Sequence, residues 1–136
     1  TSPARVEQAM EDGAALVCRS LPITKIVAVT KSGYAARMLA ARRPRQPILA
    51  VSNDPIAARS FNLLPGTKGI HFDVPFTTDS TDHVVECLRL LWKQQEIAND
   101  DLVFVAAVGY PKPGNLMNML QTHRVGDLVE ALSWNH

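Results

Sequence analysis

The residues best suited to do chemistry lie between a predicted strand and a predicted helix, and they supply two hydroxyls, an ammonium and a glycine: Thr30, Lys31, Ser32 and Gly33. The preceding run, Lys25 to Val29, is apolar and rich in β-branched residues, which indicates a strand buried on both faces. The residues from Tyr34 onward are good helix formers. Backbone N–H groups without helical partners and the positive end of the helix dipole favour an anion at this junction. The four residues are therefore a candidate phosphate site.

This motif is weak by itself. A dinucleotide-binding fingerprint would need GxGxxG after the strand, and a P-loop would need GxxxxGK[ST]; the sequence has neither at this position. Taken alone, the four residues are better explained as a capped helix with a glycine at its start.

A loop rich in glycine and proline, Val108 to Asn115, adds weight to the phosphate interpretation. It follows another strongly buried strand, and ligands of open α/β sheets bind beyond the carboxyl ends of strands, where the winding reverses. If the first and fourth strands are neighbours, the two loops face each other. Lys31 and Lys112 would then both reach an anionic ligand, and Tyr110 would offer a ring or a hydroxyl.

The other polar residues do not form a catalytic or metal-binding pattern. The four histidines are far apart in the sequence and lack ligand spacing. Ser32 has no evident histidine partner, which argues against nucleophilic catalysis. Cys18 and Cys87 fall within helical patterns rather than a CxxC spacing, and we interpret them as reduced cysteines of a cytosolic protein. We predict no catalytic residue and no metal ligand in this chain.

The bulk properties indicate one globular domain spanning residues 1–136, with 46% apolar and 20% charged residues. A net charge of +1 gives no strong field to recruit nucleic acid or an anionic membrane. The longest uncharged apolar stretch, Leu102 to Tyr110, is too short to cross a bilayer. No secretory signature opens the sequence, so we expect a cytoplasmic protein.

Helices and strands are predicted to alternate along the chain. The predicted helices are Ser2 to Leu21, Tyr34 to Arg43, Pro55 to Leu63, Thr81 to Ala98 and Gly126 to Trp134. The predicted strands are Lys25 to Val29, Pro47 to Val51, Gly69 to Val74, Leu102 to Ala107 and Asn118 to Val125. This order predicts an α/β fold with parallel strands, right-handed crossovers and helices on both faces of the sheet. Gly69 to Val74 alternates polar and apolar residues, which is typical of an edge strand.

A basic cluster surrounds the end of the second predicted helix: Arg42, Arg43 and Arg45. Cations are favourable at a helix C-terminus, and this is the simpler explanation. The functional alternative is a basic docking surface for an acidic partner.

The sequence from Thr30 to Arg37, followed by Arg43-Pro44 and by Pro47 to Val51, resembles the C-terminal, effector-binding domain of pyruvate kinase. The resemblance continues through Ala57-Ala58-Arg59, the Gly66 turn, Asp101-Leu102-Val103, the Gly109 loop and His123-Arg124-Val125. It implies a three-layer α/β/α sandwich whose mixed five-stranded sheet has the order 3-2-1-4-5 and an antiparallel last strand. The first and fourth strands would then be neighbours.

The resemblance also implies a role. In that family the catalytic barrel, which holds phosphoenolpyruvate, ADP, magnesium and potassium, lies upstream, and the C-terminal domain binds a phosphorylated effector and helps to build the tetramer. This chain would therefore be inactive alone and need no cofactor of its own. Its partners would be a phosphorylated small molecule, the remaining domains of the enzyme and further copies. The effector-binding residues carried over by resemblance are Thr30, Lys31, Ser32, Gly33, Tyr34, Gly109, Tyr110, Lys112, Gly114 and Asn115.

Several positions depart from the pattern of the family. Ala35 stands where relatives carry a second hydroxyl, and Ser80 and Cys87 fall where bisphosphate-responsive enzymes carry a tryptophan and an arginine. The glycine and threonine of the second loop correspond to Asn115 and Met117. A fructose bisphosphate response is therefore not assumed, and a monophosphate, a nucleotide or no effector stays open. The alternatives are a structural interface module that has lost its ligand site, or a free-standing protein of the same fold that binds or converts phosphorylated metabolites.

Overall fold

The computed structural model describes residues 3–31, 33–76, 82–107 and 119–135, with the side chains of residues 3–7 excepted. The helices are α1 (Pro3–Ser20), α2 (Tyr34–Ala41), α3 (Pro55–Ser60), α4 (Asp82–Lys93) and α5 (Val125–Ala131). The strands are β1 (Lys25–Val29), β2 (Ile48–Ser52), β3 (Thr67–His71), β4 (Leu102–Ala107) and β5 (Met119–Arg124). A 3-10 turn, Phe61–Leu63, extends α3. No helix in these ranges is long and apolar enough to cross a membrane.

The strands form a single mixed sheet in the order β3-β2-β1-β4-β5. β1 pairs in parallel with β2 on one side and with β4 on the other, and β5 is antiparallel to β4. At the carboxyl end of β1, Val29 lies between Val51 and Ala107. The predicted strand order and the antiparallel last strand are thus confirmed.

Helices cover both faces of this sheet. Successive residues of a strand point to opposite faces, so Ile26 and Ala28 pack with α1, α2 and the 3-10 turn. Val27 and Val29 pack instead with α4, and α5 contributes Val125 to the same cluster. All four of these β1 residues are at most 1% exposed. The result is the expected α/β/α sandwich, with β1 at its centre.

Helix α4 ends five residues before the predicted boundary at Ala98. Gln95 adopts a left-handed conformation with φ +63°, and its N–H donates to the Trp92 carbonyl at 3.0 Å. The Glu96 N–H reaches back to the Leu91 carbonyl at 2.9 Å. This pair of bonds is a Schellman motif, which ends a helix. This helix end is hard to predict from the sequence, because glutamine occupies the position where glycine is usual.

Strand β3 covers Thr67–His71 rather than Gly69 to Val74. Phe72 and Val74 are buried, as the alternation predicted, but Val74 is held by the Asn53 side-chain amide, at 3.1 Å, and not by a strand partner. Gly69 is required where α3 crosses β3, since a Cβ there would lie 1.8 Å from the Ala58 carbonyl oxygen.

The ends of two further helices also differ from the predicted ones. Leu21 was predicted to extend the apolar stripe of α1, but α1 ends at Ser20 and Leu21 is 41% exposed. Helix α2 ends at Ala41 instead of Arg43, because Arg43 has a φ of +48°. The sequence Thr77-Thr78-Asp79-Ser80, which offers several possible caps for α4, and the predicted first helical residue, Thr81, lie outside the described residues.

A polar network fixes β1 beside β4 at the amino edge of the sheet. Asp101 accepts hydrogen bonds from Thr24 Oγ1 at 2.8 Å, Lys25 Nζ at 3.0 Å and the Ala98 N–H at 2.8 Å. Burial by itself would raise the pKa of Asp101, but the three hydrogen bonds and the Lys25 charge outweigh it and hold that pKa below its ordinary value. The network keeps β1 and β4 in the register that brings their carboxyl ends together.

Candidate functional site

The candidate site lies where β1 and β4 end, at the carboxyl edge of the sheet. From β1 the chain passes through α2 to β2, on the face covered by α1 and α3. It returns to β4 through α4, on the opposite face. The winding therefore reverses between β1 and β4, and such a switch point is the usual position of a ligand crevice in open α/β sheets.

Thr30 extends the β1 ladder by one residue and then closes the turn. Its N–H donates to the Val51 carbonyl at 2.9 Å, and its hydroxyl oxygen accepts from the Gly33 N–H at 2.9 Å. The side chain is almost fully buried. Thr30 therefore shapes the turn that presents the following residues.

Gly33 is the N-cap of α2 and needs to be glycine. Its φ of +96° is a left-handed conformation that side chains disfavour. A Cβ at this position would lie 2.7 Å from Arg37 Nη1 and 2.8 Å from a ring carbon of Phe61. Both the backbone and the space around it therefore exclude a side chain.

The N-terminus of α2 is not capped by its own N-cap residue. Gly33 has no side chain to accept a hydrogen bond, and the first turn of the helix contains no acidic residue. Ala35 and Ala36 are fully buried against the sheet, whereas Lys31 is exposed before the helix begins. An eight-residue helix in this state favours a negative charge at its N-terminus.

Arg37 is a residue of this site that sequence reasoning missed. It lies one turn beyond Gly33, with its N–H donating to the Gly33 carbonyl at 2.9 Å. Its guanidinium lies over Gly33, since a Cβ placed on Gly33 would be 2.7 Å from Arg37 Nη1. Helical side chains point toward the N-terminus of their helix, so the i, i+4 spacing from Gly33 is the signal that could have identified it.

The structure brings together Thr30, Lys31, Gly33 and Tyr34, although the Tyr34 side chain packs against the core shared by α1 and α2. Ser32 lies outside the described residues, as do the second-loop positions Gly109, Tyr110, Lys112, Gly114 and Asn115. The strands that flank this loop are described. Ala107 pairs with both Val29 and Met119, so the two residues that flank this segment lie at the edge of the sheet where β1 ends.

Position 87 does not line the crevice. Cys87 is fully buried within α4, among the residues that pack that helix on the sheet. Burial, and to a smaller extent the charge of Glu86, raises the pKa of its thiol to about 12. Cys87 is therefore an inert core residue, and this position offers no cation to a second phosphate.

Metal and acid–base chemistry find no support in the described ranges. They contain no group of three or more histidine, cysteine or acidic side chains able to hold a metal ion. His123 Nε2 donates a hydrogen bond to Gln121 Oε1 at 2.8 Å, and burial lowers the pKa of the His123 imidazole. His83 is buried in α4, 4.6 Å from the Phe76 ring.

Comparison with known proteins agrees with the resemblance in the sequence. The family model described as "Pyruvate kinase, alpha/beta domain" matches residues 8–123. The pyruvate kinase of Sporosarcina psychrophila is 28% identical over 123 residues, which are 90% of this chain and 20% of that protein. The pyruvate kinase of Bacillus licheniformis is 29% identical over 116 residues, covering 81% of this chain and 18% of that protein.

A solved structure shares the fold. It is the Cryptosporidium parvum pyruvate kinase in complex with ADP, with a TM-score of 0.69 at 21% identity, covering 88% of this chain and 24% of that one. This chain thus spans about a fifth of the length of the curated relatives it matches. It belongs to the pyruvate kinase family, and its residues 8–123 match the C-terminal alpha/beta domain of that family.

Proposed function

We propose that this chain is the regulatory and oligomerisation domain of a pyruvate kinase and binds a phosphorylated effector where β1 and β4 end. The whole enzyme would transfer a phosphoryl group from phosphoenolpyruvate to ADP in the cytoplasm. Magnesium and potassium would serve its catalytic domain. The other partners would be the remaining domains of the enzyme and further copies of the chain.

The observation that carries this proposal is the N-terminus of α2, whose N-cap Gly33 supplies no capping side chain. The guanidinium of Arg37 lies over Gly33. Lys31, just before the helix, is a second exposed cation. Main-chain N–H groups, a helix dipole and two cations together suit the oxygens of a phosphoryl group.

A single phosphoryl group fits these residues better than a bisphosphate. Arg37 would supply a cation for the first phosphate, since its guanidinium lies over Gly33. The buried Cys87 offers nothing comparable for a second phosphate. A sugar monophosphate or a nucleoside monophosphate is thus the favoured ligand class.

Regulation would follow from differential binding. An effector shifts the equilibrium between two states of an enzyme only if it binds one of them more tightly. The turn at residues 30–33 is attached directly to β1, the central strand, and to α2, so a ligand there is positioned to favour one arrangement of both elements.

The test is isothermal titration calorimetry of this chain with a panel of sugar monophosphates, sugar bisphosphates and nucleoside monophosphates. Lys31→Ala and Arg37→Gln should each weaken binding about tenfold, because each removes a charge-assisted contact. Arg59→Gln is the matched control, since Arg59 is an exposed arginine of α3. Absence of binding across the panel, or equal affinity in all variants, would refute the effector role.

A structural interface module without a ligand is the second candidate, favoured by the buried alanine at position 35 and the buried cysteine at position 87. Sedimentation velocity separates it from the first candidate. An assembly that forms without any phosphorylated ligand, combined with no binding in the panel, would support it, whereas a monomer at high concentration would count against it.

A further inference from the structure

A second cationic site lies at the amino edge of the sheet, on the rim opposite the β1–β4 crevice. The ends of α1 and α2 and the segment that leads into β2 line an open surface cavity of about 450 Å³. Four arginines line it: Arg19, Arg42, Arg43 and Arg45. Arg19 comes from α1 and the other three follow α2, so the fold assembles a cluster that the sequence presents in two parts.

The charge of this arginine cavity is largely uncompensated. All four arginines are exposed. Within the described ranges, the one ion pair they make joins Arg42 to Asp12 at 3.4 Å, and both of those side chains are well exposed. Such a surface pair is weak and leaves most of the positive charge available.

Helix capping does not account for the cluster. The Cys18 carbonyl near the end of α1 is already satisfied by the side-chain amide of Gln46, at 3.0 Å, and Gln46 itself is buried. At the end of α2, the N–H groups of Arg42 and Arg43 close the last turn on Leu39 and Ala40. Cations near a helix C-terminus interact favourably with the dipole, but among the described residues none of these four guanidinium groups donates to a carbonyl at a helix end.

Arg43 also occupies an unfavourable backbone position. Its φ of +48° is left-handed, and glycine or asparagine is usual immediately after a helix. An arginine in this conformation has a cost in backbone strain. Arg43 and Pro44 both line the cavity.

We propose that the arginine cavity binds a compact ligand carrying at least two phosphoryl charges, such as a polyphosphate or a nucleoside diphosphate. Arginine forks pair bidentately with phosphate oxygens, and the volume is within the range of small-molecule sites. This inference does not rest on the effector role of the β1–β4 crevice, because the two sites lie at opposite edges of the sheet and share no residue.

The experiment uses pyrophosphate as the probe, followed by amide chemical shifts of this chain in two-dimensional NMR. Shifts should concentrate at residues 15–19 and 42–46. The double variant Arg43→Gln/Arg45→Gln should weaken binding by about tenfold or more, the loss expected for charge-assisted contacts. Arg59→Gln should bind pyrophosphate like the unchanged chain, and Lys31→Ala should not alter shifts at the amino edge.

Arg43→Gly separates binding from folding. Glycine relieves the left-handed conformation, so this variant should be at least as stable as the parent while binding pyrophosphate more weakly. Shifts confined to residues 30–37, or unchanged affinity in the double variant, would overturn the proposal. Binding of an acidic peptide without any binding of pyrophosphate would also overturn it and would identify a docking surface instead.

Discussion

Replacing Gly33 by alanine tests whether the turn before α2 is fixed as described. The substitution acts in two ways. The backbone at Gly33 has a φ of +96°, which an alanine adopts only with strain. The new Cβ would also meet Arg37 Nη1 at 2.7 Å and a ring carbon of Phe61 at 2.8 Å.

The two neighbours will respond differently. Arg37 is exposed and its guanidinium can move away. Phe61 is 2% exposed and packs among α2 and β1 residues, so its ring cannot move without disturbing the core. The left-handed conformation costs about 1–2 kcal/mol, and overpacking against a buried ring adds about 1–2 kcal/mol. We expect Gly33→Ala to lower the free energy of unfolding by about 2–4 kcal/mol, the sum of these two terms.

The assay is equilibrium urea denaturation followed by circular dichroism, with Gly66→Ala as the matched control. Gly66 also has a positive φ, +61°, but a Cβ there would have nothing within 4 Å. The loss of unfolding free energy in Gly66→Ala should therefore reflect the strained backbone alone. Adding Arg37→Ala to Gly33→Ala should recover little stability, because Phe61 remains. Equal losses for Gly33→Ala and Gly66→Ala, or full recovery in the double variant, would refute this account of the turn.

Three further predictions concern the interior. The pKa of Asp101 is lower in the folded chain than in the unfolded one. Its contribution to stability is therefore complete above the unfolded pKa of about 3.9 and is lost as the pH falls through the folded pKa. The difference in unfolding free energy between the unchanged chain and Asp101→Asn should shrink on acidification below about pH 4. Cys87→Ser should destabilise by about 1–3 kcal/mol, since it puts a hydroxyl into an apolar core, and urea denaturation measures the loss. Trp92→Phe should cost about 1 kcal/mol by the same assay, because it removes the 2.7 Å hydrogen bond from Trp92 Nε1 to Asn99.

Each of these has an opposing result. If the stability difference between Asp101→Asn and the unchanged chain stays constant between neutral pH and pH 3, the charge of the Asp101 carboxylate does not stabilise the fold. Val85→Ser is the surface control for Cys87→Ser, since Val85 is 42% exposed on the same helix, and equal losses for the pair would contradict the buried position of Cys87. A Trp92→Phe variant with an unchanged free energy of unfolding would mean that the hydrogen bond of the indole N–H does not contribute to stability.

Local patterns in the sequence predict the kinds of elements correctly. The continuous apolar runs at Lys25–Val29 and Leu102–Ala107 are strands with the predicted bounds, because a strand buried on both faces leaves no position for a polar residue. The burial of Phe72 and Val74 also followed from alternation alone, although their strand pairing did not.

The predicted helix ends were wrong where a left-handed residue ends the helix. Helix α4 ends because Gln95 turns left-handed, and α2 ends because Arg43 does. Neither residue type favours that conformation by itself. Single-residue propensities therefore do not predict these helix ends.

The sequence by itself determined the α/β class and the strand-to-helix junction between β1 and α2, since both depend on interactions between neighbours in the chain. Only the tertiary structure placed Ala107 beside Val29, folded Arg37 over Gly33, and brought Arg19 to the arginines that follow α2. Those arrangements join residues from separate elements, and they arise from the burial of both sheet faces by helices, which no local segment can specify.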